Sequence, residues 1–200
     1  MMTSEQERVL RDMERYAAAH HVPIIWENAR EAFLGVVREV RPHRVLEIGT
    51  AIGYSTLLIA LNSADDVQIT SLEFNEERHR LAQSYIERAG MSNHVNLLLG
   101  DAGELLMRLD GTYDFVFIDA AKGQYVDYLQ KVMPLLASNG VIAADNVLFR
   151  GYVRSDEKPP RRFKTIVKRL RMYLELVTKP PFQTEILENG DGLAVTRRKL

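Results

Sequence analysis

Two periodicities of apolar and polar residues alternate along this chain. Five short, mainly apolar runs, "RVLEIG", "VQITSLE", "VNLLLG", "YDFVFID" and "GVIAAD", end at Gly, Glu or Asp. Between them "YSTLLIALN", "NEERHRLAQSYIERAG", "GELLMRLD" and "QYVDYLQKVMPLLASNG" repeat their apolar residues every three or four positions, the spacing of one helix face. Strands apolar on both faces that alternate with helices predict a parallel sheet covered on both sides. Two more helices, over residues 4–20 and 26–40, precede the first strand. After Asp145 a basic segment punctuated by Gly and Pro leads to a helix that can start at Pro160, since proline fits a first helical turn. The runs "FQTEIL" and "GLAVTRRK", joined by "ENGD", predict a closing β-hairpin. Residues 1–200 show no repeat or interdomain linker and are expected to form a single α/β domain.

Composition narrows the chemistry. The chain is 46% hydrophobic and 26% charged, as globular proteins are. It has no cysteine, which removes disulfides, thiolate metal sites and cysteine nucleophiles and suits a reducing compartment. The polar N-terminal stretch and the lack of a long apolar run give the expectation of a cytoplasmic protein with no membrane partner. A net charge of −1 hides an uneven distribution: residues 150–171 hold nine Lys or Arg against two acids. Such a segment attracts phosphate or is simply a solvated face.

Candidate chemistry collects at the strand ends. "LEIGTAIGYS" places Gly49 and Gly53 in a strand-to-helix turn, where backbone can approach a ligand. Its G-x-x-x-G spacing departs from the dinucleotide fingerprint, and the preceding Glu47 would repel a pyrophosphate while tolerating a cation. That favours S-adenosylmethionine over NAD. Glu73, in "SLEFN", can accept hydrogen bonds from ribose hydroxyls; Asp101, in "GDA", can receive an adenine amino group or cap the next helix. Asp119 closes the fourth strand, and Asp145 and Asn146 the fifth. Two carboxylates and an amide make either a hard oxygen site of the kind Mg²⁺ takes, or a helix cap with an acidic rim. Lys122, three positions past Asp119, is either a base for a substrate hydroxyl or half of a solvated salt bridge. Trp26 either closes the pocket or packs in the core, Tyr125 either borders the pocket or packs on its helix, and Asp191 reads as a turn residue.

Taken together, "LEIGTAIGYS", "SLEFN", "GDA", "FIDAAKGQY", "ADNV" and "GDGLAV" resemble the metal-dependent class I S-adenosylmethionine O-methyltransferases, the catechol and caffeoyl-CoA O-methyltransferase group, over nearly the whole chain. "HHVPI", "DNVLFRG" and "RRF" are similar to the bacterial branch that methylates 5-hydroxyuridine at the tRNA wobble position. The resemblance implies a Rossmann-like methyltransferase fold with a seven-stranded, mostly parallel sheet and a C-terminal antiparallel hairpin, assembled as a homodimer. It implies S-adenosylmethionine contacts at Glu47, Gly49, Ser55, Glu73, Gly100, Asp101, Ala102 and Asp119, metal ligands Asp119, Asp145 and Asn146, and a catalytic Lys122 beside Asp119. Where the catechol branch has a bulky aromatic, this chain has Ala120 and Ala121. In 5-hydroxyuridine, O5 and the O4 carbonyl form an oxygen pair that a metal can chelate as it would a catechol. For an anticodon loop the leading phosphate contacts are Arg150, Arg154, Arg161, Arg162, Arg197 and Arg198, with Phe149 and Tyr152 able to stack on a base or pack a lid. Three functions compete: a tRNA methyltransferase, the same chemistry on a small catechol-like or acyl-CoA substrate, and a nonenzymatic RNA-binding module.

Overall fold

The structure is a computed structural model and describes residues 2–198. Helices α1 (Ser4–His20) and α2 (Glu27–Val40) come first. An alternating series follows: β1 (Arg44–Ile48), α3 (Tyr54–Asn62), β2 (Gln68–Glu73), α4 (Glu76–Arg88), β3 (Val95–Leu99), α5 (Ala102–Leu106), β4 (Tyr113–Ile118), α6 (Tyr125–Val132) and β5 (Leu136–Ala144). The chain closes with α7 (Lys164–Val177), β6 (Phe182–Leu187) and β7 (Leu193–Arg198). All seven strands form one sheet in the order β3-β2-β1-β4-β5-β7-β6. β1 to β5 pair in parallel, and β7 runs antiparallel between β5 and β6. The hairpin therefore folds back, so that the last strand in sequence is interior and β6 is the edge. No helix among the described residues is long and apolar enough to cross a membrane.

Strand alternation divides the core into two layers. Val45, Phe115 and Phe117 face α1 to α4, whereas Leu46, Ile48, Val116 and Ile118 face α5 to α7. α1 starts with reciprocal bonds between Thr3 and Gln6, a capping box legible in "TSEQ", and buries Val9, Leu10, Met13 and Ala17. On α2, Phe33 packs against Phe117 with ring centroids 4.6 Å apart. The helix expected from Pro160 starts later. Pro160 has an extended ψ of 145° and precedes a helical turn at Arg161–Phe163; regular helix begins at Lys164.

Glu47 departs from its expected place at the ligand. Alternation puts it on the α3 side of β1, fully buried. Ser55 Oγ donates to its carboxylate at 2.6 Å and Ser71 Oγ at 2.5 Å, and Thr56 also donates. These hydroxyls replace water and tie the start of α3 and β2 to β1. Burial nevertheless pushes the carboxyl from an ordinary 4.5 up to about 7. The folded state then holds the proton more tightly than the unfolded chain, so this group's contribution is favourable at low pH and declines as pH rises between 4.5 and about 7, by about 3 kcal/mol. Asp145 shifts in the same direction, so the diagnostic quantity is a difference between proteins. Glu47→Gln, which cannot ionise, is expected to gain stability relative to wild type as pH is raised from about 5 to about 8 in urea unfolding. Parallel pH profiles would show that Glu47 carries no such linkage.

Candidate active site

A cavity of about 670 Å³ opens beyond the carboxyl ends of β1, β2, β4 and β5, large enough for a cofactor-sized ligand. This is where the strand order reverses, β1 lying between β2 and β4, the usual ligand position in an open α/β sheet. Backbone bonds align the strand ends. Gly49 N and Thr50 N donate to Leu72 O at 3.0 and 3.1 Å, Asp119 N to Ile48 O at 3.0 Å, and Asp145 N to Ile118 O at 2.9 Å. At Gly49, with φ 104°, a Cβ would lie 2.2 Å from Asp119 O. Only glycine lets the first loop pass this close to the fourth strand end.

The expected cofactor positions divide into two layers. Gly49, Ser55, Glu73, Gly100, Asp101, Ala102 and Asp119 line the cavity, with Glu47 buried beneath them. Glu73 accepts from Ala51 N at 2.7 Å and Asn75 N at 2.8 Å. These bonds fix its carboxylate and hold Ala51 at a φ of 47°. Each Glu73 oxygen retains a further lone pair. Asp101 caps α5, accepting from Glu104 N at 3.1 Å, and still lines the cavity. Its two readings are therefore compatible.

Asp119, Lys122, Asp145 and Asn146 share the other end of the cavity. Lys122 Nζ lies 3.3 Å from Asp119 Oδ1, neither side chain fully exposed. Asp145 is buried, and its carboxyl is pushed up first by desolvation and next by the charge of Asp119. A divalent cation would relieve that repulsion, and two carboxylates with one amide are hard donors with coordination positions left for water or substrate. The residues present thus fit a Mg²⁺-like ion. Among the described residues no three His, Asp or Glu side chains gather; Asn146, which lines the cavity beside Asp145, offers an amide oxygen to such a set.

Tyr125 lies beneath this set, fully buried. Its hydroxyl is 2.9 Å from Asp145 O and 3.3 Å from Ile118 O, so it bridges the two strand ends that carry the aspartates. Burial pushes it well above the ordinary tyrosine value, keeping it a donor. The sequence offered pocket rim or helix packing for this residue; the position under the site was not separable without the fold. Trp26 is 70% exposed and Phe74 77% exposed, and both line the cavity. Core packing is thereby ruled out for Trp26. Phe74 and the cavity-lining Arg78 went unremarked, although an aromatic directly after an acidic strand end was a usable signal.

The arginine set is redistributed. Arg150 and Arg162 lie 5.4 and 4.6 Å from the Phe163 ring centroid, and Phe149 and Tyr152 pack against the same ring. With exposed Arg161 they form a ridge continuing from Asn146. Its backbone is strained: Asn146, Phe149 and Arg150 have φ of 54°, 41° and 57°, a region costly for side-chain-bearing residues. The hairpin turn holds it, through Leu148 N to Asp191 O and Val147 N to Gly192 O at 2.9 and 3.0 Å and Arg150 N to the Asp191 carboxylate. Asp191 is thus a turn residue that also anchors the ridge. Of the expected RNA set, Arg154 and Arg197 are each paired with an acid, Arg154 with Glu188 and Arg197 with Glu39 at 2.7 Å. The antiparallel register also sets Arg197 opposite Val141, about 13 Å back along β5 from Asp145. Arg198, one residue further from the cavity, is remote for the same reason.

Comparisons with known proteins agree with this architecture. The profile of a family described as O-methyltransferase matches residues 1–199. Caffeoyl-CoA O-methyltransferase 1 of Arabidopsis thaliana is 30% identical over 205 residues, covering 94% of this chain and 77% of that protein. Caffeoyl-CoA O-methyltransferase 5 of Nicotiana tabacum is 29% identical, with coverages of 94% and 83%. Among solved structures, a Staphylococcus aureus protein provisionally assigned as a caffeoyl-CoA O-methyltransferase superposes with a TM-score of 0.86 at 32% identity, covering 94% of this chain and 91% of that one. A Bacillus cereus O-methyltransferase in complex with SAH gives 0.85 at 26% identity, with coverages of 96% and 91%. By sequence over its length and by fold, the chain belongs to the class I S-adenosylmethionine-dependent O-methyltransferase family, in its caffeoyl-CoA O-methyltransferase-like group.

Proposed function

We propose that this chain methylates the 5-hydroxyl of 5-hydroxyuridine at the tRNA wobble position, giving 5-methoxyuridine, with a divalent cation such as Mg²⁺ held by Asp119, Asp145 and Asn146. The observation that carries this reading is continuity. The oxygen donors and Lys122 open into the cofactor-sized cavity, and the chain leaving Asn146 rises directly into the ridge of Arg150, Arg161, Arg162 and Phe163. A base can enter the cavity while its flanking phosphates meet guanidinium groups.

Each residue has a definite task. Glu73, oriented by two backbone N–H groups, receives the cofactor's ribose hydroxyls, and the Gly49 turn lets the cofactor lie on bare backbone. S-adenosylmethionine supplies an electrophilic methyl whose leaving group is a neutral thioether, so no acid is needed there. The cation, when bound, supplies positive charge that favours ionisation of the substrate hydroxyl. Lys122 Nζ, acting as the free amine, takes the hydroxyl proton and becomes the ammonium that Asp119, 3.3 Å away, pairs with. Ala120 and Ala121 line the cavity with minimal bulk, leaving room for a pyrimidine ring. Tyr125 keeps the two aspartate-bearing strand ends in register from below.

A second reading comes from the relatives named as caffeoyl-CoA O-methyltransferases: the same atoms could methylate a catechol-like acyl-CoA, with the ridge receiving its phosphates. Both readings use the methyltransferase site, which the nonenzymatic alternative leaves without a task.

Purified protein with labelled S-adenosylmethionine and Mg²⁺ is expected to label tRNA carrying 5-hydroxyuridine, with labelling abolished by a chelator and restored by excess Mg²⁺. Turnover of caffeoyl-CoA with none of that tRNA would replace the first reading by the second. Lys122→Met is expected to lower kcat by about 10²–10⁴-fold while the calorimetric affinity for S-adenosylmethionine stays as in wild type. A kcat within a few-fold of wild type would remove Lys122 from its proposed role.

A further inference from the structure

The outer face of α7 carries a charge pattern that the cavity does not use. A groove of about 430 Å³ lies between this helix and the segment before it, with Lys158, Lys164, Lys168 and Arg171 among its lining residues and Val167 and Met172 contributing apolar surface. Positions 164, 168 and 171 fall on one helical stripe. Lys158, Lys164 and Lys168 are exposed, and none of them forms an ion pair with an acid among the described residues. Several cations on other helices behave differently: Arg8, Arg11 and Arg15 on α1, Arg80 on α4 and Lys131 on α6 each meet a carboxylate three or four residues away. On α7 the neighbour of Lys164 at that spacing is Lys168, and that of Lys168 is Arg171, arrangements that oppose folding. The groove's acid, Glu175, already sits 2.7 Å from Lys179 Nζ.

Arg171 explains how the groove keeps its shape. Its guanidinium donates to Val153 O, Tyr152 O and Ser155 O at 2.9, 3.0 and 2.6 Å. That binds α7 to the chain just after the Phe149–Arg150 ridge, so groove and ridge share a wall. From Lys164 to Arg171 the helix rises about 10 Å, further than one phosphate group reaches. The spacing suits an extended polyanion.

We infer that this groove is a second RNA-docking site, in which Lys158, Lys164 and Lys168 hold phosphodiester backbone of the tRNA whose modified base occupies the cavity. The inference rests on the tRNA reading and adds a surface that reading does not require. The groove binds without regard to sequence and acts on affinity, leaving the chemical step to the cavity.

The test uses the full chain carrying Lys164→Glu with Lys168→Glu and, as a milder pair, Lys164→Gln with Lys168→Gln; circular dichroism and thermal melting verify folding. Fluorescence anisotropy with labelled tRNA bearing 5-hydroxyuridine is expected to show Kd raised about tenfold or more by the Glu pair and less by the Gln pair. The slope of log K against log salt should fall in magnitude by about two, one per lost contact. KM for tRNA should rise with kcat unchanged, and S-adenosylmethionine affinity should match wild type. Variants that bind tRNA with wild-type Kd and slope, in a protein that still methylates it, would overturn the groove and leave the tRNA reading standing. A wild-type protein that neither binds nor methylates this tRNA would overturn both. Loss of coenzyme A binding without loss of tRNA binding would also overturn the inference, assigning the lysines to a nucleotide tail.

Discussion

The site depends on how three parallel strands end. Asp119 N bonds to Ile48 O, and Asp145 N to Ile118 O, continuing the ladder one residue past each strand. Each step hands the next strand's acidic residue to the same rim, and Tyr125 closes the arrangement from below by bonding across both ends. A slip of one residue at either pairing would turn an aspartate to the opposite face of the sheet. The pairing of β1 with β4, and of β4 with β5 beyond the register shift between Tyr113 and Phe115, thus places carboxylates that repel each other side by side, and the rigidity of the sheet keeps them there.

That crowding has an electrostatic order. Glu47, Glu73, Asp119 and Asp145 occupy the ends of four adjacent elements, yet they are solvated in different ways. Glu47 has three hydroxyl donors in a sealed layer, and Glu73 two backbone amides. Asp145 receives Asn146 N, and Asp119 approaches Lys122. Glu47 therefore holds the start of α3 and β2, and Glu73 the first loop, with lone pairs still open to the cavity. The less fully satisfied Asp119 and Asp145 face the cavity, and on the proposed reading they are the pair that engages a cation. Neutralising Asp119 and Asp145 would remove both their mutual repulsion and the negative charge that a cation would meet there.

The alternating elements were legible because both of their causes are local: apolar periodicity sets strand or helix, and Gly, Pro and Asp mark the ends. The site was legible at strand ends for the same reason, since a parallel sheet brings those ends together whatever the details. Three things were not. Which face Glu47 takes depends on strand alternation relative to α3. Whether Arg197 and Arg198 lie near the cavity depends on the direction of β7, which inserts antiparallel between β5 and β6. The partners of Arg154 and Arg197 lie 34 and 158 positions away, beyond any local pattern. Pro160 misled by rule: its ring suits a first helical turn, but its extended ψ makes it a cap instead.

The net charge of −1 hides two opposed surfaces around the site, and on the proposed reading their separation constrains the substrate. Glu73, Asp101, Asp119 and Asp145 line the cavity, where a phosphate would be repelled by fixed carboxylates in a partly dry setting. Arg150, Arg161 and Arg162 stand on the ridge outside it. These carboxylates outnumber the cavity's cations, Arg78 and Lys122, which favours a polyanion settling with its backbone outside and an uncharged group inside. On the proposed reading this polarity selects the approach before any base is recognised: phosphates are drawn to the ridge, and the splayed pyrimidine is what the cavity admits. The turn at Asp191 anchors the backbone at Phe149 and Arg150, and its bonds to Val147 and Leu148 hold the start of the ridge beside the strand end that carries Asp145.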